Sequence, residues 1–199
     1  MKVISFEGFE YSGKSTQIKL LKKYFIKNNI KSTFTREPGG NKDLEKIRNV
    51  ILKSNFDNLS LIMFFFASRF ALLSSIKKND FIVFDRFFDS TYAYQKYNSK
   101  EKKLIISLIK LIDKKFIPKI TFYLKLDKKN LMRRKNKRLY SNKFDKKYFG
   151  QFSRIQKNYE EISKIKIGER KFVAIDASLS ANEVHDIIIL NLKKCKLIK

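Results

Sequence analysis

The stretch Gly8-Phe9-Glu10-Tyr11-Ser12-Gly13-Lys14-Ser15 fits G-x-x-x-x-G-K-[ST] without a gap. Before it runs Val3-Ile4-Ser5-Phe6, a short apolar segment that reads as a strand; after it runs Gln17 to Phe25, with apolar residues at helical spacing. Strand, glycine loop and helix together make a phosphate-binding loop. Gly8 and Gly13 let the backbone bend so that successive N–H groups face an anion, and the helix starting near Lys14 adds its positive dipole end. Lys14 is expected to reach the β- and γ-phosphates of a nucleotide, and the Ser15 hydroxyl to bind Mg2+. The expected triphosphate contacts are thus Gly8, Phe9, Glu10, Tyr11, Ser12, Gly13, Lys14, Ser15 and Thr16.

Outward from this loop, apolar runs alternate with helical patterns. Strands are expected at Lys31–Thr35, Phe81–Phe84, Ile120–Leu124 and Phe172–Ile175. Helices are expected at Leu44–Leu52, Lys103–Phe116, Tyr148–Ile165 and Asn182–Leu192, and Asp127 is placed to cap a further one. Leu59–Ile76 is almost fully apolar and is expected to be a buried helix. Arg133–Lys147 is charged and poor in core residues, so it reads as a loop or lid. The alternation predicts an α/β, doubly wound, parallel five-stranded sheet with helices on both faces. The whole chain, 1–199, would be one domain with a lid at about 133–147.

In such sheets ligands sit beyond the carboxyl ends of the strands. The phosphate loop, Arg36-Glu37-Pro38, Asp85-Arg86 and Asp176 all follow expected strands, so they should converge on one edge. An arginine there can clamp a second phosphate with its guanidinium fork, which Arg36 and Arg86 are placed to do. Asp85 is expected to hold Mg2+ through water.

Composition narrows the class. A 43% apolar content in 199 residues supports a folded domain with a core. The longest apolar run, Leu59 to Leu73, is broken by Ser60, Ser68 and Arg69, so no membrane span is expected, and the N-terminus does not read as a signal peptide. One cysteine, Cys195, excludes an internal disulfide and fits a reducing cytoplasm. The net charge of +26 is extreme, but the lysines are scattered along the chain and accompany an excess of Asn, Ile and Phe. That pattern reads as compositional drift, with no specific nucleic-acid partner.

Taken in order, several blocks resemble the thymidylate kinases in their bacterial form. They are Phe6 to Gln17, Thr35-Arg36-Glu37-Pro38-Gly39-Gly40, Glu45-Lys46-Ile47-Arg48, Phe65-Phe66-Ala67-Ser68-Arg69, and Asp85 to Gln95, with Ile175-Asp176-Ala177 as an adenine-side loop. The resemblance covers nearly the whole chain. It implies transfer of the γ-phosphate of ATP to dTMP, giving dTDP, with Mg2+, in a homodimer. It implies that Phe65 stacks on thymine and that Arg69 bonds a base carbonyl. Ser90, Thr91 and Gln95 would be polar contacts near the base, Tyr94 would crowd the ribose 2′ position, and Pro38 would line the dTMP site. Arg36 and Arg86 would hold the acceptor phosphate, with Glu10 beside it. The phosphate loop carries Tyr11 where some members carry a catalytic arginine, so the resemblance points to the lid-arginine type, with Arg134 and Arg138 joining Lys14 and Arg86 as catalytic charges. Asn142-Lys143-Phe144-Asp145 departs from the family's Asp-Arg-x-Glu, and Asn41 stands where a threonine is usual. A deoxynucleoside kinase, a basic nucleic-acid-binding protein with a phosphate loop, and a slow or inactive family member are the alternatives.

Overall fold

β1 (Lys2–Glu7) forms the centre of a five-stranded, all-parallel sheet of order β2-β3-β1-β4-β5. The other strands are β2 (Ser32–Arg36), β3 (Phe81–Asp85), β4 (Ile120–Lys125) and β5 (Lys171–Asp176), and β1 pairs directly with β3 and β4. The structure is a computed structural model and describes residues 1–77, 79–136 and 148–199. Along β1 and β3 the side chains alternate between two cores: Ile4, Phe6, Phe81 and Val83 join one cluster, Val3, Ile82 and Phe84 the other. This is the period-2 alternation of a sheet covered on both faces. It explains why these strands read as unbroken apolar runs.

The first cluster is packed chiefly by α1 (Lys14–Lys27), α6 (Lys128–Asn136), α7 (Phe152–Ser163) and α8 (Ala181–Lys194). The second is packed chiefly by α2 (Lys42–Lys53), α3 (Asn58–Ser75), α4 (Phe88–Gln95) and α5 (Ser99–Lys110), with Ala93 and Tyr94 of α4 reaching the first cluster and Ile162 of α7 the second. The register fixes where the site lies. Phe6 and Arg36 both pair with Asp85, and Glu7 pairs with Tyr123, so the strands end together at one edge.

Several elements differ from the sequence reading. α4 was not anticipated, because seven of its eight residues are buried and no polar face marks a helical period. The expected helix Lys103–Phe116 is two pieces: α5 starts at Ser99 behind an Asn98/Glu101 capping box, and Lys114–Phe116 is a separate 3-10 turn capped by Asp113. α6 runs on to Asn136, so the first part of the expected lid is helical; 137–147, including Arg138, lie outside the described residues. Asp127 caps α6 as expected, its Oδ1 accepting from Asn130 N at 2.8 Å. α3 is only half buried, with Leu59, Met63 and Phe64 exposed. By length and mean hydropathy it reaches the range of a membrane span, which the broken apolar run did not suggest.

Candidate active site

At the donor edge the phosphate loop closes over the end of β1. Gly8 has φ 145°, and a Cβ there would lie 2.7 Å from Leu124 O and 2.7 Å from Ser12 Oγ, so only glycine fits. Gly13, at φ 94°, precedes α1 and turns its first N–H groups toward the loop. Tyr11 is also left-handed, at φ 65°. Lys14 is buried and donates to Gly8 O at 2.9 Å and Phe9 O at 3.0 Å. Burial and then the nearby Arg86 guanidinium push its pKa down. Phe9 turns its ring into the core against Tyr94 and Phe152, which leaves only its backbone for a phosphate.

Lys14, Ser15, Thr16, Asp85, Arg86 and Arg36 line one cavity of about 180 Å³. Ser15 and Asp85 face it together, two hard oxygen donors that fit Mg2+ when phosphates and water complete its shell. Among the described residues, no group of three His, Cys, Asp or Glu side chains could hold a metal.

A second cavity, about 130 Å³, adjoins the first and shares Glu10, Glu37, Arg48 and Arg86 with it. Its walls include Pro38, Phe65, Arg69, Ser90, Thr91, Tyr94 and Gln95, so it gathers the expected base-site residues from β2's end, α3 and α4. Arg69 is 2% exposed. Its Nε donates to Glu37 Oε2 at 2.7 Å and its Nη2 to Thr91 Oγ1 at 3.0 Å, while the buried Nη1 has no hydrogen-bond partner among the described residues. Burial raises the Glu37 carboxyl to about 7, against the pull of Arg69. Gln95 donates to Tyr148 Oη at 3.0 Å.

Arg86 stands between the cavities at φ 68°, a strained position for a side chain of this size. Its Nη1 donates to Gly8 O and Ser90 Oγ, both at 3.0 Å, and its Nη2 pairs with Glu10. Burial raises the Glu10 pKa, but Arg86 and then Lys14 outweigh it and hold the carboxylate down at about 2.

Two of the expected arginines have partners of their own in this structure. Arg36 is largely exposed and grips Glu45 in a two-pronged pair at 3.0 and 2.7 Å, which ties β2's end to α2. Arg134 reaches the back of the phosphate loop, donating to Tyr11 O at 3.1 Å and to Ala177 O, and lines a third cavity with Gln17, Leu179 and Val184. It therefore ties the phosphate loop to the turn after β5 and does not line the cavity that holds Lys14. Asp176 caps the turn after β5, accepting from Ser178 N at 2.8 Å. His185 lies in α8 beside Tyr24, away from these cavities.

Arg48 and Glu37 were quoted within motif blocks but given no role; Arg48 lines both cavities and donates to Pro38 O at 2.7 Å. The buried Asp89–Arg170 pair carried no signal, because its members are 81 positions apart.

The family model for thymidylate kinase matches residues 6–188. A thymidylate kinase from Chlorobium limicola is 35% identical across 96% of this chain and 94% of its own length. One from Wolbachia pipientis subsp. Culex pipiens is 36% identical across 97% and 96%. The crystal structure of thymidylate kinase from Ehrlichia chaffeensis has a TM-score of 0.72 at 30% identity, covering 96% of this chain and 98% of that one. These likenesses do not favour the deoxynucleoside-kinase or nucleic-acid readings. With the parallel sheet and the phosphate loop, they show that the chain belongs to the thymidylate kinase family.

Proposed function

We propose that this chain transfers the γ-phosphate of ATP to dTMP, giving ADP and dTDP, as a single cytoplasmic domain acting in a homodimer. The observation that carries the acceptor's identity is Arg69. A buried guanidinium held by Glu37 and Thr91, with Nη1 unpaired on the wall of a cavity beside Phe65, suits a flat base with a carbonyl at its edge. Phe65 would stack on that base, and Tyr94 would close the ribose 2′ side. Ser90, Thr91, Gln95 and Pro38 complete the wall around dTMP.

The acceptor phosphate is already a nucleophile, so the transfer needs placement and charge more than a general base. Lys14 would leave the Gly8 and Phe9 carbonyls to meet the β- and γ-phosphates. Arg86 would exchange Glu10 for the acceptor phosphate, with Arg48 and Arg36 at the cavity's rim. Mg2+, bound at Ser15 and through water at Asp85, would neutralise charge on the triphosphate. Arg134 would support the adenine side, and Arg138 would supply the closing charge. Exposed Leu59, Met63 and Phe64 on α3 support the homodimer reading.

A coupled assay with dTMP, dUMP, dGMP and AMP tests this. dTMP should be preferred; preference for a purine monophosphate would sink the reading. In the same assay Arg138→Ala should lose turnover more than dTMP affinity, and unchanged turnover would remove Arg138 from the mechanism.

A further inference from the structure

Glu7 ends β1, immediately before the phosphate loop, and is completely buried. Its Oε1 accepts from the Phe87 N–H at 2.7 Å. Its Oε2 lies 2.5 Å from Ser90 Oγ and 3.3 Å from Tyr159 Oη. Ser90 Oγ in turn accepts from Arg86 Nη1 at 3.0 Å and lies 2.9 Å from Tyr159 Oη. One carboxyl thus grips the backbone just after Arg86 and the hydroxyl on which the Arg86 guanidinium rests. Arg86 needs such a grip, because its φ of 68° is unfavourable without surrounding restraint.

We infer that Glu7 is a positioning residue for phosphoryl transfer: it locks the Arg86–Phe87 turn and, through Ser90, aims the Arg86 guanidinium at the acceptor phosphate. The inference rests on reading Arg86 as the residue that holds that phosphate. Burial, and then Asp89, raise the Glu7 carboxyl to about 8, so it is largely neutral at pH 7 and leaves the charge of Arg86 intact. The hydroxyls accommodate either state. Protonated, Glu7 donates to Ser90, and Ser90 donates to Tyr159. Ionised, Glu7 accepts from Ser90, and Tyr159 donates to the pair. In both states Ser90 keeps a lone pair for Arg86. The charged and titratable groups around Glu7 are Arg86, Asp89 with its partner Arg170, Tyr159 on α7 and Lys14 on α1. Ionising Glu7 adds a negative charge among them and beside the phosphates.

The experiment compares wild type, Glu7→Gln, Glu7→Ala and Ser90→Ala in kcat, KM for dTMP and pH profile from 6 to 9.5. Glu7→Gln keeps an acceptor for Phe87 and a donor for Ser90. It should hold turnover within about threefold at pH 7 and lack the fall in turnover that wild type is expected to show through about pH 8. Glu7→Ala should lose between about 10- and 100-fold in kcat and raise KM, as a misaimed guanidinium would. Folded Glu7→Ala with wild-type kinetics overturns the proposal. If Glu7→Ala does not fold, the other two variants decide. A Glu7→Gln pH profile matching wild type, together with unchanged kinetics in Ser90→Ala, would overturn it equally. Wild-type turnover of dTMP tests the functional reading separately, and if another monophosphate is preferred the same comparison runs on that acceptor.

Discussion

The proposed donor loop is nine consecutive residues, Gly8 to Thr16, whereas the proposed acceptor cavity draws on β2's end, α2, α3 and α4. The loop works mainly through backbone: positive φ at Gly8, Tyr11 and Gly13 shapes it, and Lys14 is its main charge. The acceptor cavity works through side chains that must be held in place from behind. Glu37 holds Arg69, and Glu7 and Ser90 hold Arg86. A loop can be specified by local glycines, but a cavity walled by buried arginines such as Arg69 and Arg86 needs groups that hold them, because a buried charge without a partner is costly.

The largest expected effect breaks the donor half alone. Lys14→Met should cut turnover by about 10²- to 10³-fold, the usual cost of losing a charge that stabilises the transition state. The acceptor cavity does not use Lys14 as a wall, so dTMP affinity should change little. Turnover by coupled assay and dTMP binding by calorimetry check the two statements. A parallel loss of both would mean that the halves are not separable.

The second effect strikes the acceptor half through stability. Arg69→Met leaves Glu37 buried without its partner and should cost about 3–5 kcal/mol, as breaking a buried pair does. Arg69→Met combined with Glu37→Leu removes both charges and should recover most of that loss, while dTMP binding stays abolished. Urea denaturation of the two single variants and the double variant gives the coupling. A double variant no more stable than Arg69→Met would mean that the pair is not what holds α3 to the end of β2.

The same contrast explains what the sequence revealed. The loop and the parallel sheet were legible because their determinants are local: glycines at fixed offsets, and strands whose apolar runs are continuous. α4 was not legible. It is buried on all sides, so its residues, Phe88-Asp89-Ser90-Thr91-Tyr92-Ala93-Tyr94-Gln95, show no polar face. The base-site block was recognisable through the family resemblance, but Phe65 on its own reads as core, and the cavity it lines exists only because α3 and α4 meet the end of β2. The supporting carboxyls were hidden for a related reason. Glu7 and Asp89 act on residues 80 or more positions away, and no local pattern encodes such a pairing. Arg36 and Arg134 show the converse: their positions in the chain were informative, but their partners Glu45, Tyr11 and Ala177 decide which way the side chains turn.

The smallest expected effect sharpens the comparison at the point where the halves touch. Two carboxyls flank Arg86, and their environments push them in opposite directions. Glu7, walled off from solvent, is raised to about 8, while Glu10, at the cavity mouth, is held at about 2 chiefly because Arg86 and Lys14 outweigh the cost of burial. Their contributions to stability therefore run oppositely with pH. Glu10, with its folded pKa below the ordinary 4.5, stabilises the ligand-free fold above that value and loses this as pH falls toward about 2. Glu7, with its folded pKa above 4.5, stabilises the fold below that value and loses this as pH rises through about 8. Thermal melts across pH should show Glu10→Gln weakening only the acid dependence below about pH 4.5, and Glu7→Gln only the decline on the alkaline side of that value, up to about pH 8. The Glu10 effect should be the weaker, since its side chain is 37% exposed and solvent screens the pair. If Glu10→Gln altered the alkaline side instead, the two carboxyls would be sharing one proton across Arg86, and the donor and acceptor halves would titrate as a single unit.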